Sequence, residues 1–142
     1  MNMEINPLGL IAALTAFVSI WAGHVSVRKI EAETIQLWKP MLTAIALGIG
    51  MEVIALTVNN RSLSTVFGIL GITLLWDALE LYRQAKRVRK GHAPANPRNP
   101  RHASWLADPN THATPLDILD RDPTGRPVSA EEAIMLVTPK HN

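Results

Sequence analysis

The chain has 142 residues, 47% of them hydrophobic, with 14 Lys and Arg against 12 Asp and Glu and hence a formal charge of +2. It has no cysteine, which excludes disulfides, thiolate metal sites and cysteine nucleophiles. These averages combine two unlike parts, because residues 7–82 are almost entirely apolar and residues 83–142 carry most of the charge. The length allows one compact domain with at most one appendage.

Three apolar runs are long enough to cross a membrane, which takes about 20 apolar residues. We predict spans at residues 7–27, 40–58 and 62–82, the last reaching full length only if Asp77 and Glu80 lie at the membrane edge. Such runs leave no polar face for water, and they lack the alternation of a β-barrel. The first run lacks the flanking features of a signal peptide. We therefore predict an all-α fold with three transmembrane helices in an antiparallel hairpin stack.

Basic residues and aromatic side chains predict how the helices are oriented. Arg28, Lys29 and Lys39 lie in the first connection, whereas the second connection offers only Arg61. By the positive-inside rule we expect a multi-pass protein of the bacterial inner membrane, with its N-terminus outside and its C-terminal tail in the cytoplasm. The same cytoplasmic ends carry an aromatic belt, formed by Trp21, Trp38, Trp76 and Tyr82.

A basic block without any acidic residue follows the third helix. Its members are Arg83, Lys86, Arg87, Arg89, Lys90, Arg98 and Arg101. Beside a hydrophobic helix, such a block is attracted to anionic lipid headgroups, which we predict as a partner. Nucleic-acid binding is the alternative for a basic block, and the adjacent membrane span disfavours it.

Small residues at helical spacing predict where the helices pack. Ala44 and Gly48 share one face of the second helix, and Gly68 and Gly71 follow each other on the third. In lipid, close packing at small residues replaces the hydrophobic drive between helices. The same stripes could equally serve the helices of a partner protein.

Glu52 lies near the middle of the second predicted span. A carboxyl at that depth costs about 2.5–3.5 kcal/mol and faces a partner or a wet cavity. Two interpretations stay open, an ion- or proton-handling group and a neutral acid that fixes helix packing. No second charged residue lies at this depth, so a proton path within one chain is not expected.

A second polar cluster is predicted at the cytoplasmic interface, with His24, Lys29, Glu31, Asp77 and Glu80 as members. In one interpretation it is a structural cap, whose glutamates pair with Arg28, Lys29 or Arg83. In the other it contacts a lipid headgroup or a quinone. The ligand spacing of a metal site is missing, and no second intramembrane histidine is present for haem. We predict no metal and no cofactor.

Three clusters carry a family resemblance: HVSVRKIE at 24–31, WDALELYRQAKRV at 76–88 and KGHAPANPR at 90–98. Over residues 8–98 the chain resembles the small bacterial membrane proteins of domain of unknown function 4491. The resemblance implies three membrane helices and a juxtamembrane end, without an established activity, and it adds Gln84 and Arg87 to the cap. The chain departs from the family pattern at Val25, where proline is usual, and in lacking an aromatic pair after the loop glutamate. Residues beyond Asn99 are an extension.

The chain is expected to divide into a transmembrane domain at 1–90 and a proline-rich polar tail at 91–142. The third helix should continue to about Val88, and the prolines of 91–100 should hold that stretch extended along the headgroups. Helix-start patterns begin at Thr114 and Ser129, each for a short helix. Apolar tail residues would dock on a cytoplasmic partner, namely Leu116, Ile134, Met135 and Leu136. The alternative is a disordered tail with no partner.

No nucleophile with a base, phosphate-binding glycine loop or catalytic carboxylate pair is recognisable, so we predict that the chain is not an enzyme. The leading hypothesis is a small accessory or anchoring subunit of a larger inner-membrane complex, with respiratory and photosynthetic electron-transfer complexes as candidates. The alternative is a small homo-oligomeric channel or transporter that uses Glu52. A further alternative is a lipid- or quinone-contacting subunit.

Overall fold

The computed structural model describes residues 6–120, and these residues form an all-α fold. Three long apolar helices follow one another: α1 at Leu8–Glu33, α2 at Trp38–Thr57 and α3 at Arg61–Arg89. A short helix, α4, occupies Pro100–Ala107, and a 3₁₀ turn follows at Ile118–Asp120. The prediction of three long helices is confirmed.

Local sequence explains where the long helices begin and end. Asn60 precedes α3, and its side-chain oxygen accepts a hydrogen bond from the backbone N–H of Leu63 at 3.1 Å. After α3 the chain reverses at Gly91, whose φ of 73° lies in the left-handed region. A side chain there would also meet the carbonyl oxygen of His112, only 2.2 Å from the added Cβ. Only glycine fits this position.

The helix α3 lies between the other two and packs against both, whereas α1 and α2 make little contact with each other. The α2–α3 backbones approach closely at two glycines. A Cβ added to Gly48 would lie 3.0 Å from the carbonyl oxygen of Gly71, and one added to Gly71 would lie 3.0 Å from that of Gly48. Gly68 faces Ala55 more loosely, at 3.8 Å from its Cβ, and Ala44 lines a groove among the three helices.

The outer faces of α1, α2 and α3 are apolar and exposed. Phe17 on α1 is 72% exposed and Leu56 on α2 is 86% exposed. All three helices are long and apolar enough to cross a bilayer. The chain is therefore a membrane protein with three candidate transmembrane helices.

The segment 91–120 folds back over the end of the bundle at which α1 and α3 terminate and α2 begins, which we call the polar end. Ala93 and Ala95 are buried beside Val88, and Trp105 and Leu106 of α4 pack against them. The extended run predicted for 91–100 is thus replaced by a loop that ends in α4. The helix predicted from Thr114 is reduced to the 3₁₀ turn. The one predicted from Ser129, with the docking residues Ile134, Met135 and Leu136, lies outside the described residues.

Candidate functional site

Glu31 is the centre of the polar end. It belongs to the buried stripe of α1 at every fourth residue and is only 1% exposed. Its Oε1 accepts hydrogen bonds from Nη2 of Arg101 at 2.9 Å and from Nε2 of His102 at 3.0 Å. The guanidinium of Arg101 also donates to the backbone carbonyl of Glu31 at 2.5 Å. A buried carboxylate is thus paired with a cation from the segment after the bundle, as burial of a charge requires.

The predicted pairing of Glu31 with Arg28 or Lys29 is therefore wrong. Both cations are exposed, whereas Glu31 is on the buried face of the same helix. Arg28 instead approaches Asp117, with 3.7 Å between the nitrogen and the carboxylate oxygen. Its side chain is 66% exposed, so this ion pair is weakly stabilising.

The ring of His102 is fully buried, and its hydrogen bonds define its tautomer. The backbone N–H of Asn96 can only donate, and it donates to Nδ1 of His102 at 2.9 Å. The proton of the neutral ring is therefore on Nε2, which donates to Glu31, so the approach of Arg101 Nη2 to Nε2 at 3.1 Å is a contact and not a hydrogen bond. Trp105 stacks on the ring of His102, with ring centroids 5.2 Å apart. The guanidinium carbon of Arg101 lies over the same Trp105 ring, 5.1 Å from its centre. His102 thus joins α1, the loop and α4.

Two asparagine side chains donate hydrogen bonds to the backbone carbonyls at the end of α1. The side-chain amides of Asn96 and Asn99 donate to the carbonyl of Ala32 at 3.1 and 3.0 Å, and Asn99 also donates to that of Thr34 at 3.2 Å. Carbonyls at a helix end have no partner within the helix, so these amides act as a cap from a distant part of the chain. The oxygen of Asn99 accepts from the N–H of Arg101 at 3.0 Å and begins α4. One side chain therefore connects two helices.

A second polar group lies on α3. Glu80 is 7% exposed and pairs with Arg87, while its other oxygen lies 3.8 Å from Arg83. Arg87 also donates to Oε1 of Gln84 at 2.9 Å. This group includes the expected Glu80–Arg83 pair and brings together Gln84 and Arg87.

A cavity of about 400 Å³ opens between α1, α3 and the loop. The residues that line it include His24, Arg28, Lys29, Glu31 and Gln84. Several residues of the predicted cap therefore share one cavity. Asp77 is not among them.

Asp77 lies on α3 three residues before Glu80, nearer the apolar part of the bundle. A Cβ added to Gly23 of α1 would be 2.6 Å from one of its carboxylate oxygens, so Gly23 leaves the space that Asp77 occupies. Asp77 and His24 line a groove of about 350 Å³ on the flank of α1 and α3, together with Trp76. Nearby, the hydroxyls of Ser19 and Thr73 lie 3.3 Å apart across the same helix pair.

Glu52 lies in the α2–α3 interface. A Cβ added to Gly71 would be 2.6 Å from its Oε1, so the carboxyl rests in the space that this glycine leaves. Its side chain is partly exposed. Within residues 6–120 the carboxyl has no hydrogen-bond or ion-pair partner.

Three aromatic rings at the polar end make cation–π contacts with basic side chains. Lys39 lies 5.8 Å from the ring centre of Trp38, Arg83 lies 4.9 Å from that of Trp76, and Lys86 lies 4.5 Å from that of Tyr82. These rings are exposed, as is Trp21. Amphipathic rings beside basic groups are typical of the headgroup region of a bilayer. Among residues 6–120, no group of three or more His, Asp or Glu side chains has a metal-binding arrangement.

Sequence reasoning missed the partners of Glu31 and of the α1 end. A signal for them exists, because Asn-Pro-Arg occurs twice in a row at 96–101. Asparagine followed by proline is the pattern of a helix cap and first helical residue, and at Asn99 it predicts α4. Nothing local to Glu31 indicates that its partner lies 70 residues away.

A family profile described as domain of unknown function (DUF4491) matches residues 6–99. No curated protein and no solved structure matches the chain. The matched range contains α1, α2 and α3 with both capping asparagines, whereas Arg101 and His102 lie just beyond it. The chain belongs to the DUF4491 family and carries an additional C-terminal segment.

Proposed function

We propose that this protein is a small non-catalytic accessory or anchoring subunit of a larger bacterial inner-membrane complex. The observation that carries the proposal is an apolar edge on the segment after the bundle. Leu116, Ile118 and Leu119 are 56%, 55% and 89% exposed in an otherwise polar part of the chain. Exposed apolar residues that cluster in this way are typical of a protein–protein contact.

The apolar edge is held in a defined position, which favours docking over a free tail. The preceding loop and α4 are tied to α1, the loop through the asparagine cap and α4 through Glu31. The backbone of the loop is tied to the edge as well, because the N–H of Ala95 donates to the carbonyl of Thr114 at 2.8 Å. A surface that is already ordered loses less conformational entropy on binding.

We further propose that the polar end faces the cytoplasm, with the N-terminus outside. The basic block and the cation–aromatic pairs belong to this end, and cationic flanks favour the cytoplasmic side. Anionic headgroups are the proposed lipid partner of the exposed part of the block, which contains Arg89, Lys90 and Arg98.

A second candidate function rests on Glu52. An unpaired, partly exposed carboxyl in a candidate span suits a polar lining formed by several copies of the chain. The residue contacts α3 of its own chain, which equally suits a packing role. A Glu52→Gln variant separates the two, because conductance or uptake should be abolished in a pore and assembly should be unaffected in an accessory subunit.

The test of the docking edge uses tagged full-length protein purified from its own membranes in mild detergent. A Leu116→Ser, Ile118→Ser, Leu119→Ser variant removes the edge, and an Ala103→Ser, Ala107→Ser variant alters exposed positions of α4 as the matched control. We expect the first variant to lose stoichiometric partner subunits and the control to retain them. Equal recovery of the same subunits by both variants would refute docking through this edge.

A further inference from the structure

The cavity at the polar end presents hydrogen-bond donors that have no partner among residues 6–120. Lys29 lines it, and within residues 6–120 its ammonium has no hydrogen bond or ion pair. Arg28 lines it as well, and in the described part of the chain its one ion pair is the exposed contact with Asp117. Two cations therefore border one concave space of about 400 Å³.

Gln84 supplies an amide donor to the same cavity. It is 7% exposed, and its Oε1 accepts from Arg87 at 2.9 Å. A guanidinium can only donate, so the other amide atom is the nitrogen, with two N–H donors. This nitrogen has no hydrogen-bond partner within residues 6–120. It is not among the fully buried unpaired atoms, so it is open to an acceptor that enters the cavity.

The acidic residue of the cavity is already neutralised. Glu31 lines it, but its carboxylate is paired with Arg101 at 2.9 Å and accepts from His102 at 3.0 Å. These bonds go to its Oε1 and balance its charge, so the excess charge that lines the cavity comes from Lys29 and Arg28. Their ligand should be an anion with several oxygen acceptors, for which a phosphate ester is well suited.

The cavity adjoins an apolar groove. His24 lines both the cavity and the groove of about 350 Å³ on the flank of α1 and α3. Ile20, Ile72 and Trp76 form the apolar part of that groove. Trp76 carries Arg83 on its ring, a pairing that suits the headgroup depth of a bilayer. A polar cavity that continues into an apolar groove has the shape of a headgroup followed by an acyl chain.

We propose that this composite site binds one anionic phospholipid. Its phosphate lies in the cavity with Lys29, Arg28 and the Gln84 amide, and an acyl chain follows the groove past Ile20 and Ile72. The site differs from the basic block, which lies on the last turns of α3 and beyond them, and it does not depend on the accessory role. A soluble phosphate compound shares the headgroup chemistry but has no use for the groove.

The test is a lipid titration of detergent-purified full-length protein, followed by native mass spectrometry. Phosphatidylglycerol and phosphatidylcholine are compared, and inorganic phosphate is added as competitor. Lys29→Gln removes an exposed cation of the site, and Lys39→Gln makes the same change at the same end outside it. Gln84→Leu removes the buried amide, and Ile72→Trp fills the groove at a position that is 60% exposed.

We expect one phosphatidylglycerol per chain, bound more tightly than phosphatidylcholine. Lys29→Gln and Gln84→Leu should weaken it by about three- to tenfold, as for a lost charge-assisted hydrogen bond partly screened by water. Ile72→Trp should weaken lipid binding, and Lys39→Gln should not.

If Lys29→Gln and Lys39→Gln weaken binding equally, general surface charge is responsible and the site is refuted. If inorganic phosphate binds while Ile72→Trp leaves phosphatidylglycerol binding unchanged, the groove plays no part in binding. The ligand is then a soluble anion, and the lipid proposal is refuted. If Gln84→Leu fails to fold, the comparison of Lys29→Gln with Lys39→Gln still tests the proposal.

Discussion

Replacing Glu31 with alanine should release the segment 91–120 from the bundle. The change removes the carboxylate that accepts from Arg101 at 2.9 Å and from His102 at 3.0 Å. The Arg101 side chain is 15% exposed, so it becomes a largely buried cation whose remaining acceptor is a backbone carbonyl. Breaking a buried ion pair in this way costs about 3–5 kcal/mol. At 1.4 kcal/mol per factor of ten, opening of the segment becomes more frequent by about 100-fold or more.

Hydrogen–deuterium exchange in detergent measures this opening directly, through peptides that cover the loop and α4. Glu33→Ala is the matched control, since Glu33 is an exposed glutamate two residues later on the same helix. Its effect should stay within about 0.5 kcal/mol, as is usual for surface changes. Exchange should accelerate at the N–H of Asn96 and Ala103 in the first variant and remain unchanged in peptides from α2.

Equal exchange in Glu31→Ala and Glu33→Ala would refute the reasoning. It would mean that the loop and α4 are held without the buried ion pair. A double variant with Arg101→Ala adds an internal check. Its cost should be clearly less than the sum of the two single costs, because each single change leaves the other partner buried and unpaired.

Three other predictions follow from close contacts in the described chain. Gly71→Ala places a methyl group 2.6 Å from Oε1 of Glu52 and 3.0 Å from the carbonyl of Gly48, so it should lower the stability of the α2–α3 pair by about 1–3 kcal/mol in denaturant titration. Gly50→Ala, whose methyl meets nothing within 4 Å, should instead leave stability unchanged or raise it by up to about 1 kcal/mol. Asn99→Ala removes the cap of α4 and two bonds to the α1 end and should lower the thermal midpoint, at a cost of about 1–2 kcal/mol, whereas Asn59→Ala in the exposed second turn should not. Hydrogen bonds from the backbone and side chain of Asn110 hold the pKa of Asp108 below its ordinary 3.8, so Asn110→Ala should raise that pKa in a carbon-13 titration. Because the folded pKa is depressed, the ionised Asp108 stabilises the 108–111 turn. This stabilisation is complete above the ordinary pKa and is lost as the pH falls through the folded pKa. An unchanged titration in Asn110→Ala would contradict the prediction.

The sequence was sufficient to predict three long helices, because uncharged apolar runs have few alternatives to membrane helices. The first predicted span stops at Val27, whereas the helix α1 continues to Glu33. Charges such as Arg28 and Lys29 end an apolar run without ending a helix. The continuation of α3 to Arg89 was predictable because Gly91 is the first residue that stops a helix there.

The contacts of the polar end were beyond sequence reasoning. Arg28 and Lys29 are near Glu31 in the sequence, and Arg28 has the three-residue spacing of a helical ion pair. Burial overrides that spacing, because Glu31 lies on the packed face of α1 and its partner must reach it from inside the fold. His102 shows the same limit, since in the sequence it is one of several tail histidines, yet its ring is fully buried.

The native mass of the protein extracted from its own membrane tests the central claim most directly. Full-length protein is tagged at low expression, extracted in mild detergent and weighed intact, with its components identified by dissociation. An accessory subunit predicts a mass that includes other subunits in fixed stoichiometry with this 15.6 kDa chain. A mass equal to a whole multiple of 15.6 kDa, with no other component, would contradict it and favour a self-assembled pore at Glu52.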